Sequence, residues 1–143
     1  MVPASCNAPA RDPCNAGCVA VRCLIVDDNR RFLGVARTLL EGEGLTIAGV
    51  ATTSAEALRQ AATLRPDVVL VDISLGDENG FELARRLVAD HADGAVILIS
   101  TRSEAELADA IGLSPAVGFL AKSALSAEAI RGLIDGASAC RGR

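Results

Sequence analysis

Polar side chains of complementary charge follow four of the apolar stretches in this 143-residue chain. In chain order they are Asp27, Asp28, Asp72, Ser100 and Lys122. Three carboxylates that lie close together repel one another and stay ionised together only when a cation is present. Hard oxygen ligands of this kind suit Mg²⁺, which binds through one or two carboxylates and keeps several waters.

The same side chains together resemble a phosphoryl-transfer centre. A metal ion and a lysine neutralise the charge of the phosphoryl group, and a carboxylate can be the attacking nucleophile. Each residue taken singly also has a plain structural explanation. Asp27 or Ser100 could simply cap the helix that follows it, and Lys122 could be a solvated loop residue. The functional interpretation therefore depends on all of them meeting at one place.

They meet only if the apolar stretches are parallel, neighbouring strands. Short runs rich in β-branched residues, such as Val68–Val71, are typical of strands buried on both faces. The pattern predicts five strands, at 21–26, 45–51, 68–72, 95–100 and 117–121. Helices are predicted after them, at 30–41, 54–64, 81–90, 103–111 and 127–137. This alternation predicts an α/β fold with a single five-stranded parallel sheet, doubly wound, with its ligand site at the carboxyl ends of the strands.

Local signals define several boundaries within this pattern. Asp27-Asp28-Asn29 breaks the first strand and caps the next helix, and Thr53 or Ser54 caps the helix after that. The strand at 45–51 is less apolar and is expected near a sheet edge. The segment 73–80 is polar and contains glycine, so it is predicted to be a loop.

Composition argues against several classes of protein. The formal net charge is −4 and Trp and Tyr are absent, whereas a nucleic-acid interface needs a basic face. No apolar run approaches the roughly 20 residues that span a bilayer, and the N-terminus lacks the apolar core of a secretory signal. A cytoplasmic location without membrane or nucleic-acid contact is therefore expected. The five cysteines lack the paired spacing of a zinc site and are expected to be reduced thiols.

The chain is expected to have three parts. Residues 1–19 are rich in Pro, Ala, Asn and Cys without periodicity and are predicted to be a disordered extension; one hypothesis is that translation begins near Val19. Residues 20–138 form one folded domain. Residues 139–143 are predicted to be a frayed tail.

In their order and spacing, the motifs resemble the receiver domain of two-component response regulators. The resemblance covers Val21–Ala137 and rests on LIVDD at 24–28, VVLVDI at 68–73, GFEL at 80–83, ILIS at 97–100 and GFLAKS at 118–123. It implies a CheY-like domain with the (βα)5 flavodoxin-like fold.

The resemblance implies a role for each acid at the strand ends. Asp72 matches the phospho-accepting aspartate. Asp28 matches the acid that binds Mg²⁺ directly, and Asp27 matches its neighbour, which acts mainly through water. The backbone carbonyl of Ser74 would complete the metal shell. Gly76 stands where the family usually has a proline, so a more mobile loop is expected there.

It also implies how the phosphorylated state would be recognised. Ser100 matches the switch hydroxyl, Lys122 the phosphate-contacting lysine and Phe119 the switch aromatic, which is equally explained as a plain core residue. The implied partners are a sensor histidine kinase, a downstream protein or output domain, and a second copy in a phosphorylation-dependent homodimer. Ser74 and Arg102 occupy the two positions that tune the lifetime of the phosphoryl group in this family.

Three functions therefore compete. The first is a phosphorylated receiver, alone or as part of a longer transcriptional regulator, with no enzymatic activity beyond its own phosphorylation and slow dephosphorylation. The second is a Mg²⁺-dependent aspartyl-phosphate hydrolase, which would usually carry a second Asp two residues after Asp72, where this chain has Ser74. The third is an unphosphorylated interaction module, which the complete set of acids and Lys122 disfavours.

Overall fold

The computed structural model describes residues 21–76, 78–90, 94–101 and 104–141; the extension predicted at 1–19 lies outside them. The strands are β1 (Arg22–Val26), β2 (Thr46–Ala51), β3 (Val68–Asp72), β4 (Ser74–Leu75), β5 (Glu78–Asn79), β6 (Ala95–Ser100) and β7 (Gly118–Ala121). The helices are α1 (Arg30–Gly42), α2 (Ser54–Leu64), α3 (Gly80–Asp90), α4 (Glu104–Gly112) and α5 (Ala127–Arg141), with a short 3₁₀ turn at Lys122–Ala124. Among these helices, none is long and apolar enough to cross a membrane.

Five of the strands form a parallel sheet in the order β2-β1-β3-β6-β7. The predicted α/β fold is confirmed, and β2 lies at an edge as expected from its weaker apolar pattern. The pairs nearest the carboxyl ends are Val26 with Val71, Asp72 with Ile99 and Ser100 with Ala121. This register brings the residues that end β1, β3, β6 and β7 to one edge of the sheet.

Alternate side chains of the central strands pack against helices on opposite faces of the sheet. On one face, Ile25, Leu70 and Ile97 pack with the buried residues of α1 and α5. On the other, Val26 and Val71 pack with the buried residues of α2 and α3. Each large aliphatic side chain that is fully buried contributes about 1.5–3 kcal/mol, so the two apolar layers hold the strand ends in place.

The predicted caps are present at the starts of α1 and α2. The Asn29 side chain accepts hydrogen bonds from the N–H groups of Arg31 and Phe32. The Thr53 hydroxyl accepts one from Glu56 N–H, at 3.1 Å. These side chains satisfy donors that the first turn of a helix leaves without a partner.

Three boundaries differ from the prediction. The segment 73–80, predicted to be a loop, contains the antiparallel pair β4–β5. A 3₁₀ turn follows β7 directly, where only a connection was predicted. Helix α5 continues past Ala137 to Arg141, into the segment predicted to fray, because periodicity marks the end of a helix poorly.

Cys23 lies in β1 with no exposed surface and is not part of a disulfide. Burial raises the pKa of its thiol to about 12. A buried, protonated thiol is a poor nucleophile and a poor metal ligand, so Cys23 serves as a small apolar residue of the core.

Candidate functional site

The three acids predicted to meet do so at the carboxyl ends of β1 and β3. One carboxylate oxygen from each of Asp27, Asp28 and Asp72 lies within 4.8 Å of the others. Asp27 and Asp72 are buried, whereas Asp28 is exposed. Backbone N–H groups hold the two buried carboxylates, since Asn29 donates to Asp27 Oδ1 at 2.8 Å and Ser74 donates to Asp72 Oδ1 at 3.2 Å.

Lys122 reaches into this cluster from the end of β7. Its Nζ lies 2.5 Å from Asp27 Oδ2 and 3.5 Å from Asp72 Oδ2. The contact of Lys122 with Asp27 is an ion pair that lacks the directionality of a hydrogen bond. Asp27 Oδ2 is buried and, among the described residues, receives no hydrogen bond. One ammonium does not balance three carboxylates, so the cluster retains the charge and the open oxygen positions that suit a divalent cation.

The environment changes the acidity of Asp72. Burial has the largest effect, and with the neighbouring charge of Asp27 it raises the pKa of Asp72 from 3.8 to about 6. Lys122 and the Ser74 N–H act in the opposite direction and lower it. At neutral pH Asp72 is therefore mainly a carboxylate, but one that its surroundings destabilise.

The structure also places the two predicted switch residues. Ser100 ends β6, the strand next to β3, and only 2% of its surface is exposed. Phe119 pairs with Leu98 across β6 and β7 and is buried in the core cluster that also contains Val71. Their positions suit the predicted roles, and Phe119 is at the same time the core residue of the alternative explanation.

The predicted roles of the Ser74 carbonyl and of Arg102 stay predictions. Ser74 is exposed in β4, directly after the acceptor strand, and the use of its carbonyl as a metal ligand stays a prediction. Arg102 lies outside the described residues.

The β4–β5 hairpin, which was predicted only as a loop, lies against the acidic cluster. Gly76 has a φ of +58°, and a Cβ at this position would lie 3.4 Å from Asp28 Oδ2. Glu78 lies in the segment that was predicted to be a polar loop. It is exposed, but its Oε1 accepts a hydrogen bond of 2.7 Å from Ser54 N–H at the start of α2. No sequence pattern indicates this contact, because the two residues are remote in the chain.

Replacing Glu78 with alanine is expected to lower the free energy of unfolding by about 0.5–1 kcal/mol, since a first-turn N–H loses a charged acceptor. Urea denaturation measures the change. Glu78→Gln keeps an acceptor oxygen and should lose less. Glu41→Ala is the control, because the Glu41 side chain forms an exposed pair with Arg37, and such pairs contribute little. Equal losses for Glu78→Ala and Glu41→Ala would show that the hairpin is not held to α2.

The family model of the response regulator receiver domain matches residues 23–134, a span that includes all the candidate site residues. The response regulator GacA of Pseudomonas viridiflava is 32% identical over 114 residues, which are 79% of this chain and 53% of that protein. This chain therefore spans about half the length of that relative.

Solved structures agree with the sequence matches. The signal receiver domain of a modulated diguanylate cyclase from Desulfovibrio desulfuricans G20 is 34% identical, with a TM-score of 0.69 over 82% of this chain and 92% of that one. A response regulator from Burkholderia pseudomallei, solved with a phosphorylated aspartic acid, a calcium ion and citrate, is 25% identical, with a TM-score of 0.71 over 85% of this chain and 71% of that one. The fold, the acidic cluster and the match to the family model over residues 23–134 agree with one another. The chain therefore belongs to the receiver domain family of the response regulators of two-component signalling.

Proposed function

We propose that Asp72 accepts a phosphoryl group from a sensor histidine kinase, with Mg²⁺ held by Asp28, Asp27, Asp72 and the carbonyl of Ser74. The observation that carries the proposal is the position of Asp72. It ends a fully buried strand, within 4.8 Å of two other carboxylates and with Lys122 Nζ at 3.5 Å. The relative from Burkholderia pseudomallei, which was solved with a phosphorylated aspartic acid and a calcium ion, supports the same chemistry here.

In the proposed reaction, a carboxylate oxygen of Asp72 forms a bond to phosphorus while the bond from phosphorus to the donor breaks. The donor keeps the electron pair of that bond. Asp72 Oδ1 is held by the Ser74 N–H, which orients the nucleophile. Lys122 supplies positive charge beside Oδ2, and bound Mg²⁺ would neutralise charge on the phosphoryl group.

Phosphorylation would then change the surface of the domain. The new phosphoryl oxygens are strong acceptors, and we propose that they draw the Ser100 hydroxyl toward them. The space left by Ser100 would allow Phe119 to rotate, which biases the surface of α4, β7 and α5. That surface would bind a downstream protein, an output domain or a second copy of the chain. Ser100→Ala should leave phosphorylation intact and weaken this response, as measured by binding of the partner or by dimerisation.

The competing functions receive less support. A hydrolase with its own turnover would use a second carboxylate two residues after the acceptor, and Ser74 stands there. An unphosphorylated interaction module would have no need of three converging acids with a lysine between two of them. We therefore propose no enzymatic activity beyond the chain's own phosphorylation and slow dephosphorylation. We also propose a cytoplasmic location and, from the half-length match to GacA, a role as the receiver part of a transcriptional regulator.

Intact-protein mass spectrometry after incubation with acetyl phosphate tests the proposal. The wild type should gain one phosphoryl group in the presence of Mg²⁺, and Asp72→Asn should abolish the gain. Asp90→Asn, which changes an exposed aspartate at the end of α3, is the matched control and should still be phosphorylated. Fast multiple turnover of acetyl phosphate would support the hydrolase instead, and the absence of an adduct would support the interaction module.

A further inference from the structure

We propose that Phe32 is a positioning residue for the phosphoryl site, and that its ring holds the Lys122 ammonium in place beside Asp27 and Asp72. The inference rests on the proposed function of Asp72 and adds a residue that the family motifs quoted above do not include.

The contact that suggests this role is between an ammonium group and an aromatic face. Lys122 Nζ lies 4.4 Å from the centroid of the Phe32 ring, within the range in which a cation is attracted by the ring quadrupole. Only 14% of the Lys122 side chain is exposed, and such contacts are stronger where water is excluded. The chain has three Phe and no Trp or Tyr, yet one of these rings contacts the lysine of the site.

The start of α1 fixes the position of this ring. Asp27 Oδ1 accepts the N–H of Asn29 at 2.8 Å, and the Asn29 side chain accepts the N–H of Phe32 at 3.2 Å. The Phe32 ring is half-buried against the core cluster beneath α1 and α5. The backbone that orients the Asp27 carboxylate therefore also places the ring that contacts its ion-pair partner.

A neutral ring can hold an ammonium without neutralising it. Lysine has a flexible four-carbon stem and loses rotamer freedom when its charge is held at one point. A further carboxylate in place of the ring would fix the ammonium but would compete with an incoming phosphoryl group for its charge. Phe32 limits the motion of Lys122 and leaves that charge available, with Nζ already 3.5 Å from Asp72 Oδ2.

The test measures the rate constant of phosphorylation by acetyl phosphate at saturating Mg²⁺. Phe32→Leu keeps an apolar side chain but removes the aromatic face, and it should slow phosphorylation about 3- to 10-fold, the effect of losing a contact of this class. Phe32→Tyr keeps a ring and should remain close to the wild-type rate. Phe32→Met replaces Phe32→Leu if the leucine variant is not folded at the assay temperature.

A double-mutant cycle separates positioning from a general effect on the fold. Lys122→Ala should slow phosphorylation by itself, and adding Phe32→Leu to it should cause no further loss, because the ring then has no ammonium to hold. An equal loss in both backgrounds, or an unchanged rate in Phe32→Leu alone, would overturn the inference and leave the proposed function standing. The absence of an adduct on the wild type would overturn the proposed function, and this inference with it.

Discussion

Replacing Gly80 with alanine is expected to lower the free energy of unfolding by about 1–3 kcal/mol and to weaken Mg²⁺ binding. A Cβ at Gly80 would overlap the backbone oxygen of Asp72 and would lie 2.7 Å from Ile73 Cα and 2.9 Å from the Asp72 carbonyl carbon. All three atoms belong to the backbone, so no change of rotamer relieves the overlap. Either α3 or the end of β3 must move, and the end of β3 carries the proposed phosphoacceptor.

The native contact at this point is close because Gly80 is docked on the strand by its backbone. Its N–H donates to the Ile73 carbonyl at 3.0 Å, which joins the first residue of α3 to the residue after Asp72. A shift of α3 would disturb this hydrogen bond and the direction of the Asp72 side chain together. Stability and metal affinity should therefore fall in the same variant.

Gly34→Ala is the matched control for Gly80→Ala. Gly34 lies inside α1 and is exposed, and an added Cβ would have no atom within 4 Å other than those of its chain neighbours and of the backbone of its own helix. Alanine is favoured over glycine in a helix by about 0.5–1 kcal/mol, so this variant should be more stable than the wild type. Urea denaturation and titration with Mg²⁺ give both quantities. If Gly80→Ala were as stable as Gly34→Ala and bound Mg²⁺ as the wild type does, the result would contradict the close contact between α3 and the end of β3.

The sheet and the acidic cluster were predictable from the sequence for one physical reason. A strand buried on both faces reads as a continuous apolar run, and β1, β3 and β6 all do. Parallel strands align their carboxyl ends, so residues that directly follow such runs must share an edge. The convergence of Asp27, Asp72 and Lys122 follows from topology alone.

The contacts between loops and helices could not be predicted in the same way. The bond from Ser54 to Glu78 and the contact of Lys122 with Phe32 depend on the paths of connecting segments and on side-chain directions, which periodicity does not encode. Gly80 gives no special signal either, because a glycine before a helix is as consistent with an ordinary turn as with a close backbone approach. The sequence likewise does not indicate that Lys122 Nζ lies closer to Asp27 than to Asp72, which only the two distances show.

In the absence of metal, Asp72→Asn is expected to raise the free energy of unfolding above pH 6 by up to about 3 kcal/mol. Burial and the charge of Asp27 raise the pKa of Asp72 from 3.8 to about 6, and its side chain is only 6% exposed. The ionised carboxylate is therefore less stable in the folded protein than in the unfolded chain. Asparagine removes this charge and keeps an oxygen that can accept the Ser74 N–H.

The dependence on pH has a definite sign. Below about pH 4, Asp72 is protonated in both the folded and the unfolded state, so the free energies of unfolding of the wild type and of Asp72→Asn should differ little. Between about pH 4 and 6 the folded state binds the proton that the unfolded state has released, so the contribution of Asp72 to wild-type stability falls as the pH rises. Above pH 6 the carboxylate is ionised in both states and the difference between the variants should be constant.

Urea denaturation of the wild type and of Asp72→Asn across this pH range, first in EDTA and then with Mg²⁺, measures the difference in their free energies of unfolding. Taking the difference between variants removes the contribution of the other acids, which both share. At the proposed site Asp72→Asn removes the charge of one ligand, so Mg²⁺ should bind the folded wild type more strongly than the folded variant. Added metal should therefore shrink or reverse the difference. Asp90→Asn should stay within about 0.5 kcal/mol of the wild type, as surface changes usually do. A difference that did not vary with pH, or an asparagine variant less stable than the wild type in EDTA, would contradict the account of Asp72 as a buried carboxylate repelled by Asp27.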